Sequence, residues 1–314
     1  MKRVGVMGAG AVGCFFGSRL ARAGVPVTLV ARAAHAEAIA RDGLEIDSVE
    51  GAGRVAMTAT TEVSALADCD AVLVAVKSPA TEGTAAHLAS VVPDDALIVS
   101  LQNGVDNAWR MRAHAPNPVV PAVVYVSVEM RGPGVLRHNG GGRLIVGDPL
   151  VDDGRAEAAR ARLTELIETF VTAGVPCTWA PDVRVDLWTK LATNCAYNAI
   201  SALARLRYHH ITTHEGARSV MRMVVSELAR VAEAEGVPVS EADLWTAVDR
   251  IGQAMPMALS STAQDLIAGR RTEIDDLNGF VARRGAAHGI PTPVNATLQA
   301  LVLLAEGRGA SIAE

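Results

Sequence analysis

Val4-Gly5-Val6-Met7-Gly8-Ala9-Gly10-Ala11-Val12-Gly13 is the stretch that decides the fold. A short apolar run, Val4 to Met7, meets three glycines spaced G-x-G-x-x-G, and an apolar, helix-favouring run follows from Ala11 to Ala23. A strand, a glycine turn and a helix in that order make the dinucleotide fingerprint. Gly8 permits the tight turn out of the strand. Gly10 lets the backbone approach a pyrophosphate, and Gly13 lets the helix pack closely on the sheet. Ala9, Ala11 and Val12 complete the loop. The unpaired N–H groups of the first helical turn, at the positive end of the helix dipole, favour phosphate. Residues Gly8 to Gly13 are therefore the first candidate cofactor-binding set.

The second strand, Val27 to Ala31, says which dinucleotide. An NAD site usually carries an acidic residue about 20 residues past the glycines, to hold the ribose 2′-hydroxyl. This chain has Arg32 at that place. A carboxylate there repels a 2′-phosphate, whereas a guanidinium pairs with it bidentately. The expected cofactor is NADPH/NADP+.

Outward from this start, strand-like segments at Arg3–Met7, Val27–Ala31, Ala71–Val76, Leu97–Leu101 and Val119–Val128 alternate with helical ones, notably Ala11–Ala23 and Pro79–Ser90. Alternation of that kind predicts a parallel, doubly wound sheet. Ligands bind such sheets beyond the carboxyl ends of the strands. Val76-Lys77-Ser78-Pro79 and Leu101-Gln102-Asn103-Gly104 fall there. Gly140-Gly141-Gly142 and Arg143–Gly147 suggest a hairpin that closes the domain. Helical periodicity follows over Arg155–Ala173, and Cys177–Ala180 reads as a last short strand. From Val183 onward nearly everything reads as helix, with Met221–Gly236, a segment capped by Ser240, Ser261–Ala268, Glu273–His288 and Val294–Glu306 as the clearest segments. The expected fold class is α/β plus all-α: a Rossmann-type NADP(H)-binding domain over 1–180 and a helical substrate and catalytic domain over 181–314.

Composition narrows the function classes. With 314 residues, half of them hydrophobic and 20% charged, the chain can bury two cores. A net charge of −5 argues against a nucleic-acid partner. No run approaches the roughly 18 apolar residues needed to cross a bilayer, so no membrane role is expected. Lys2 and Arg3 followed by an apolar run ending at Cys14 superficially resemble a lipoprotein signal, but the run is short and broken by glycines. Cys14, Cys69, Cys177 and Cys195 are scattered, as in a reduced cytoplasmic protein. His209, His210 and His214 lack ligand spacing to any cysteine, so no metal is expected. A small-molecule substrate is the expected partner, and a homodimer paired through the helical domain is a candidate assembly.

The densest polar set on an apolar helix is Leu187-Trp188-Thr189-Lys190-Leu191-Ala192-Thr193-Asn194-Cys195-Ala196-Tyr197-Asn198. Lys190, Asn194 and Asn198 are spaced i, i+4, i+8 and share one face. Asparagine is a mediocre helix former. Two of them aligned with a lysine point to a face lining a polar pocket, since a solvated face would usually carry Glu and Arg as well. A second cluster runs Leu259-Ser260-Ser261-Thr262-Ala263-Gln264-Asp265 and then Arg270-Arg271-Thr272-Glu273-Ile274-Asp275. Here Thr272 reads as an N-cap with Glu273 in the first helical turn. Ser260 and Ser261 are either capping hydroxyls or substrate contacts.

With these residues in view, the chain resembles the ketopantoate reductase family. The similarity covers G-A-G-A-V-G, the arginine after the second strand, V-K-S, Q-N-G, L-W-x-K-L-x-x-N-x-x-x-N, S-S-x-x-Q-D, R-x-T-E-I-D-x-L-N-G and H-G-I-P-x-P-x-N. The resemblance implies hydride transfer from NADPH to the 2-keto carbon of ketopantoate (2-dehydropantoate), giving pantoate. It implies Lys190 as the general acid, Asn103 reaching toward nicotinamide and substrate, and Lys77 on the cofactor side. It further implies Asn194 and Asn198 as substrate hydrogen-bonders, Ser261 on the substrate carboxylate, and Glu273 accepting from the substrate's terminal hydroxyl. Two departures stand out. Ala258 occupies a position where the family often has asparagine, and a further asparagine of the family either aligns near Tyr208 or has no counterpart here. Both bear on which 2-keto or 3-hydroxy acid is used, not on the cofactor.

Overall fold

The computed structural model describes residues 1–152 and 154–307. The chain divides into two compact units. One comprises Met1–Gln102 with Asp106–Val183; the other comprises Asn103–Val105 with the chain from Arg184 onward.

The first unit runs β1 (Val4–Met7), α1 (Ala11–Arg22), β2 (Val27–Val30), α2 (Ala33–Asp42), β3 (Leu44–Ser48), β4 (Gly53–Val55), β5 (Thr58–Thr60), β6 (Ala71–Val74), α3 (Thr81–Ala89), β7 (Leu97–Ser100), α4 (Asn107–Arg112), β8 (Val119–Gly132), β9 (Val135–Val146), α5 (Ala156–Thr172) and β10 (Cys177–Trp179). The sheet order is β4-β3-β9-β8-β7-β6-β1-β2-β5, with β10 paired to β9. Neighbours from β8 through β5 pair in parallel. Alternate residues of one strand feed opposite faces, which is why the central strands β1 and β6 read as apolar runs. In β6, Ala71 and Leu73 join Phe16, Leu20, Leu163 and Phe170 on one side. Val72 and Val74 join Leu88 and Met111 on the other. Helices on both faces of a largely parallel sheet make this the Rossmann-type doubly wound architecture that the alternation predicts.

Three local features differ from the sequence reading. The turn between β8 and β9 falls at Pro133-Gly134, with Gly134 at φ +72°, so Gly140–Gly142 lie inside β9. All three adopt positive φ, and the β8–β9 register shifts beside them. A Cβ on Gly142 would sit 2.8 Å from the Phe15 ring, so the glycines kink the strand past that side chain. The second difference is α2 and β3–β5, which the alternation of major strands and helices does not announce. β3 does carry a signal, with Leu44 and Ile46 buried and Glu45 and Asp47 exposed, but it is five residues long. The third is that the helix expected from Met221 begins at Glu215, because the His214 ring accepts the Ala217 amide at 3.1 Å and starts it early.

In the second unit, α6 (Val183–Ala204) is followed by α7 (Tyr208–Thr212), α8 (Glu215–Ala234), α9 (Glu241–Ala254), α10 (Ser261–Ile267), α11 (Asn278–Ala287) and α12 (Pro293–Gly307). Ser240 caps α9 as expected, accepting the Asp243 amide at 3.1 Å. The helix expected over Glu273–His288 is instead a 3-10 turn, Ile274–Asp276, and a separate α11. Thr272 does not cap a helix: its hydroxyl and its amide both bind the Glu306 carboxylate at the end of α12. One polar chain ties four helices together. Glu227 on α8 accepts the Val294 and Asn295 amides at 2.8 and 3.0 Å and the Asn295 side chain at 2.7 Å. Asn278 then donates to Asn295 Oδ1 at 3.0 Å and to the Cys195 carbonyl on α6 at 3.2 Å. Among the described residues no helix is long and apolar enough to cross a membrane.

Candidate active site

On the first unit, the carboxyl ends of β1, β2, β6 and β7 share one edge of the sheet, and four of the expected segments follow them. Gly8 turns the chain out of β1 at φ +91°, where a Cβ would lie 2.7 Å from the Val76 amide nitrogen. A Cβ on Gly13 would lie 2.6 Å from the Gly8 carbonyl and 2.8 Å from Val6 Cγ1. Gly13 is therefore the closest approach of α1 to the strand. Gly10 is different: nothing stands within 4 Å of where its Cβ would be. It is the N-cap of α1 and offers no side-chain cap, so the amides of Ala11, Val12 and Gly13 precede the first helical bond, Cys14 N to Gly10 O. Open space before uncapped amides at a helix N-terminus fits a pyrophosphate. Arg32 is exposed at the N-cap of α2, directly after β2. Lys77 is exposed one residue before a short 3-10 turn after β6.

The neighbouring V-K-S and Q-N-G motifs are largely structural. Gln102 donates to the Val76 carbonyl at 3.0 Å and to Thr81 Oγ1 at 2.9 Å. Thr81 and the buried Ser78 both bind the Asn107 amide, at 2.9 and 3.0 Å. Gln102 and Ser78 thus lock the two loops together, while Lys77 is exposed and Asn103 is half-buried.

The second unit holds the polar residues that the sequence singles out on α6. Lys190, Asn194 and Asn198 do lie on one face, beside core positions Leu187, Trp188, Leu191, Ala192, Cys195 and Ala196 of the same helix. Lys190 Nζ donates to Asn103 Oδ1 at 3.0 Å, and Asn103 Nδ2 donates to Glu273 Oε2 at 3.1 Å. Three residues 83 or more positions apart thus form one chain: ammonium, amide, carboxylate. Burial pushes the Lys190 ammonium down from 10.5 to about 8, against the pull of the Glu273 charge, which raises it. Asn103 belongs to this unit because Asn103–Val105 leave the β7 edge, with Gly104 at φ +98° making the turn. The buried Asn198 and half-buried Asn194 make no side-chain hydrogen bond among the described residues, so their amides are free to meet a ligand.

The serines divide. Ser260 is buried, caps α10 by accepting the Ala263 amide at 3.1 Å, and donates to the Asn198 carbonyl at 3.2 Å. Ser261, the expected carboxylate contact, is exposed at the first position of α10. Ser260 is therefore structural. The two departures from the family pattern are neighbours in space. The Tyr208 amide donates to the Ala258 carbonyl at 3.1 Å, and the Tyr208 ring stacks on Tyr197 of α6 at 4.3 Å. Sequence reasoning overlooked Asn278, Asn295 and Glu227 as positioning groups. Their only signal is that two of them close the motif blocks L-N-G and P-x-N. Among the described residues no group of three His, Cys, Asp or Glu side chains could hold a metal, and all four cysteines are free and buried.

Comparison with known proteins places this geometry. Residues 4–150 match the family model Ketopantoate reductase PanE/ApbA, and residues 182–306 match its C-terminal counterpart. The 2-dehydropantoate 2-reductase of Halobacterium salinarum is 35% identical over 98% of this chain and all of its own length. The crystal structure of a PanE/ApbA family ketopantoate reductase from Ralstonia eutropha is 43% identical, with a TM-score of 0.90 over 98% of this chain and 100% of that one. A D-mandelate dehydrogenase solved with NADH and anilino(oxo)acetate has a TM-score of 0.89, covering 97% of this chain and 98% of that one, but only 22% identity, which shows a shared fold alone. Matches over both units, at this identity and along the full length of relatives that are themselves reductases, carry one conclusion: the chain belongs to the ketopantoate reductase family of oxidoreductases.

Proposed function

We propose that this protein reduces ketopantoate to pantoate with NADPH, and that Lys190 is its general acid. The observation that carries the reading is the Lys190–Asn103–Glu273 chain. A bound reduced nicotinamide supplies a hydride. The residues of this chain do the rest. Hydride arrival at the 2-keto carbon leaves negative charge on oxygen, and the ammonium of Lys190 stabilises it and gives it a proton. Asn103 accepts one N–H of Lys190, which leaves the others for the keto oxygen. Glu273 keeps the ammonium charged at neutral pH despite burial, and it accepts from the substrate's terminal hydroxyl. Asn194 and Asn198 orient the keto acid, and Ser261 meets its carboxylate. Gly8 to Gly13 hold the pyrophosphate, with Arg32 on the 2′-phosphate and Lys77 beside it.

The direct test follows loss of NADPH absorbance with ketopantoate and with an analogue lacking the terminal hydroxyl. The reading expects a kcat/KM lower by 10-fold or more for the analogue, because it offers Glu273 no hydroxyl to accept from. Equal rates strip Glu273 of that role and favour a second reading, reduction of another small 2-keto acid on the same machinery. The observation behind the second reading is specific: Tyr208 and Ala258 present a stacked ring and a methyl group where the family often has amides.

Two further outcomes follow from the same residues. For Lys190 with a pKa near 8, the acid form dominates at neutral pH and is lost as pH rises. Reduction kcat/KM should therefore fall through about pH 8, while pantoate oxidation, which needs the neutral amine, should rise over the same interval. A reduction profile flat from pH 7 to 9.5 removes Lys190 from proton transfer. Replacing Arg32 by Glu should raise Kd for NADPH by about 10–100-fold, with NADH affected far less, since a bidentate charged pair is worth about 1.5–3 kcal/mol. Equal losses for both nucleotides would leave Arg32 no part in the 2′-phosphate.

A further inference from the structure

His35 is not part of any motif, yet its ring touches the dinucleotide loop. It lies in the first turn of α2, three residues after Arg32. Its Nδ1 accepts the backbone N–H of Gly134, the tip of the β8–β9 hairpin, at 2.9 Å. With Nδ1 occupied as an acceptor, the ring proton sits on Nε2. Nε2 stands 3.3 Å from Cys14 Sγ, and Cys14 Sγ in turn donates to the Ala9 carbonyl at 3.3 Å. Donors and acceptors are consistent along the whole relay: Gly134 N–H to His35, His35 N–H to Cys14, Cys14 S–H to Ala9. Ala9 is the second residue of the glycine fingerprint and Cys14 is the residue just after it. The hairpin tip is itself anchored, because the Gly134 carbonyl accepts the Glu45 amide at 2.9 Å.

We propose that His35 is a positioning residue for the pyridine nucleotide: in its neutral form, with the proton on Nε2, it holds the Ala9–Cys14 segment in the conformation that receives the pyrophosphate, using the β8–β9 hairpin as its anchor. The chemistry of each link supports this. The Cys14 thiol is buried, which pushes its pKa up to about 12, so it remains an S–H donor at every working pH. A protonated His35 cannot accept from Gly134 and loses its anchor. Burial and the adjacent Arg32 charge both lower its pKa from 6.5, against the Ala9 carbonyl, which raises it. The groups facing the ring are thus Arg32 on its own helix, the neutral thiol on α1, the Ala9 carbonyl and the Gly134 amide. No acid among them favours the imidazolium. The relay is therefore intact at neutral pH and opens on acidification below the ordinary imidazole range.

The inference rests on the reading that a pyridine nucleotide binds at Gly8–Gly13, and the test separates the two. Calorimetry at pH 8 measures Kd of the wild-type protein for NADP+ and for NAD+. His35→Ala should weaken both by a common factor of about ten, because the loop serves the pyrophosphate they share. His35→Gln, whose carboxamide carries both an acceptor and a donor, should recover most of that loss. Cys14→Ala should match His35→Ala, Cys14→Ser should recover, and the double variant His35→Ala/Cys14→Ala should be no worse than either single one, since one relay is broken once. With NAD+, which has no 2′-phosphate to titrate, wild-type binding should weaken below pH 6.5, whereas His35→Gln should not change. Thermal melts establish that each variant is folded, and the serine and glutamine variants keep the test decisive should an alanine variant unfold. His35→Ala binding both nucleotides within twofold of wild type overturns the inference. So does a loss confined to NADP+, which would make His35 a 2′-phosphate contact. Wild-type protein that binds neither nucleotide overturns the cofactor reading as well.

Discussion

Lys190→Met is expected to lower kcat for keto-acid reduction by about 10²–10⁴-fold while leaving NADPH affinity within twofold of wild type, the range that loss of a positioned general acid produces. Methionine keeps the volume and removes the charge. Because burial already disfavours the ammonium, pushing its pKa down to about 8, the substitution takes away a group that the fold holds at some cost. Thermal stability should therefore not fall, and activity and stability should part company. Lys190→Arg refines the assignment. Its guanidinium keeps a positive charge near the oxyanion but does not give up a proton at working pH. Its turnover should lie between methionine and wild type, and the limb near pH 8 should vanish. Near-normal turnover in Lys190→Met would end the acid assignment, whatever the fate of the cofactor reading.

The second large effect is on folding. Glu227→Ala should lower stability by about 3 kcal/mol, or a Tm lower by roughly 6–12 °C for a unit of this size. The reason lies in the start of α12. The Thr292 carbonyl takes the first helical bond, from Ala296, so Val294 and Asn295 carry orphan amides. No neighbouring side chain caps them. Glu227 does, from α8, with both carboxylate oxygens, and it also holds the Asn295 side chain. Removing it leaves one buried and one part-buried backbone donor and the Asn278–Asn295 link unsupported. Glu227→Gln keeps one acceptor but aims an NH₂ at donors, so it should fall in between. A melting temperature unchanged within 2 °C in the alanine variant would refute the capping account. The site should suffer too: Asn278, bound to the Cys195 carbonyl, sits five residues after Glu273 and on a chain reaching the helix that bears Lys190.

The strand–turn–helix start of the chain is legible in the sequence because its determinants are local. Gly8 and Gly13 act on residues within a turn of themselves or on the strand just before them, so their spacing conveys the turn and the close helix packing. The largely apolar runs of β1, β2, β6 and β7, broken only by Thr28 and Ser100, are equally plain, since strands covered on both faces have few places for polar residues. Legibility fails where the determinant is distant. Glu273 looks like a first-turn helical acid, yet Thr272 is pulled away by Glu306 and the helix starts only at Asn278. Gly140–Gly142 look like a turn, yet they lie inside β9, where the Phe15 ring, over a hundred residues earlier, leaves no room for a Cβ on Gly142. His35 carries no pattern at all, because its partners, Cys14 and Gly134, come from two other elements.

The amino-acid order alone settled the class of fold, the glycine turn after β1, and the face of α6 that bears Lys190, Asn194 and Asn198, because helical and strand periodicity act over a few residues. Tertiary structure decided the rest: that Asn103 bridges Lys190 to Glu273, that Ser260 serves the fold while Ser261 stays exposed, and that an acid on α8 caps α12. Hydrogen bonds and desolvation depend on which groups end up a few ångströms apart, and the spacing of residues along a chain does not encode that distance.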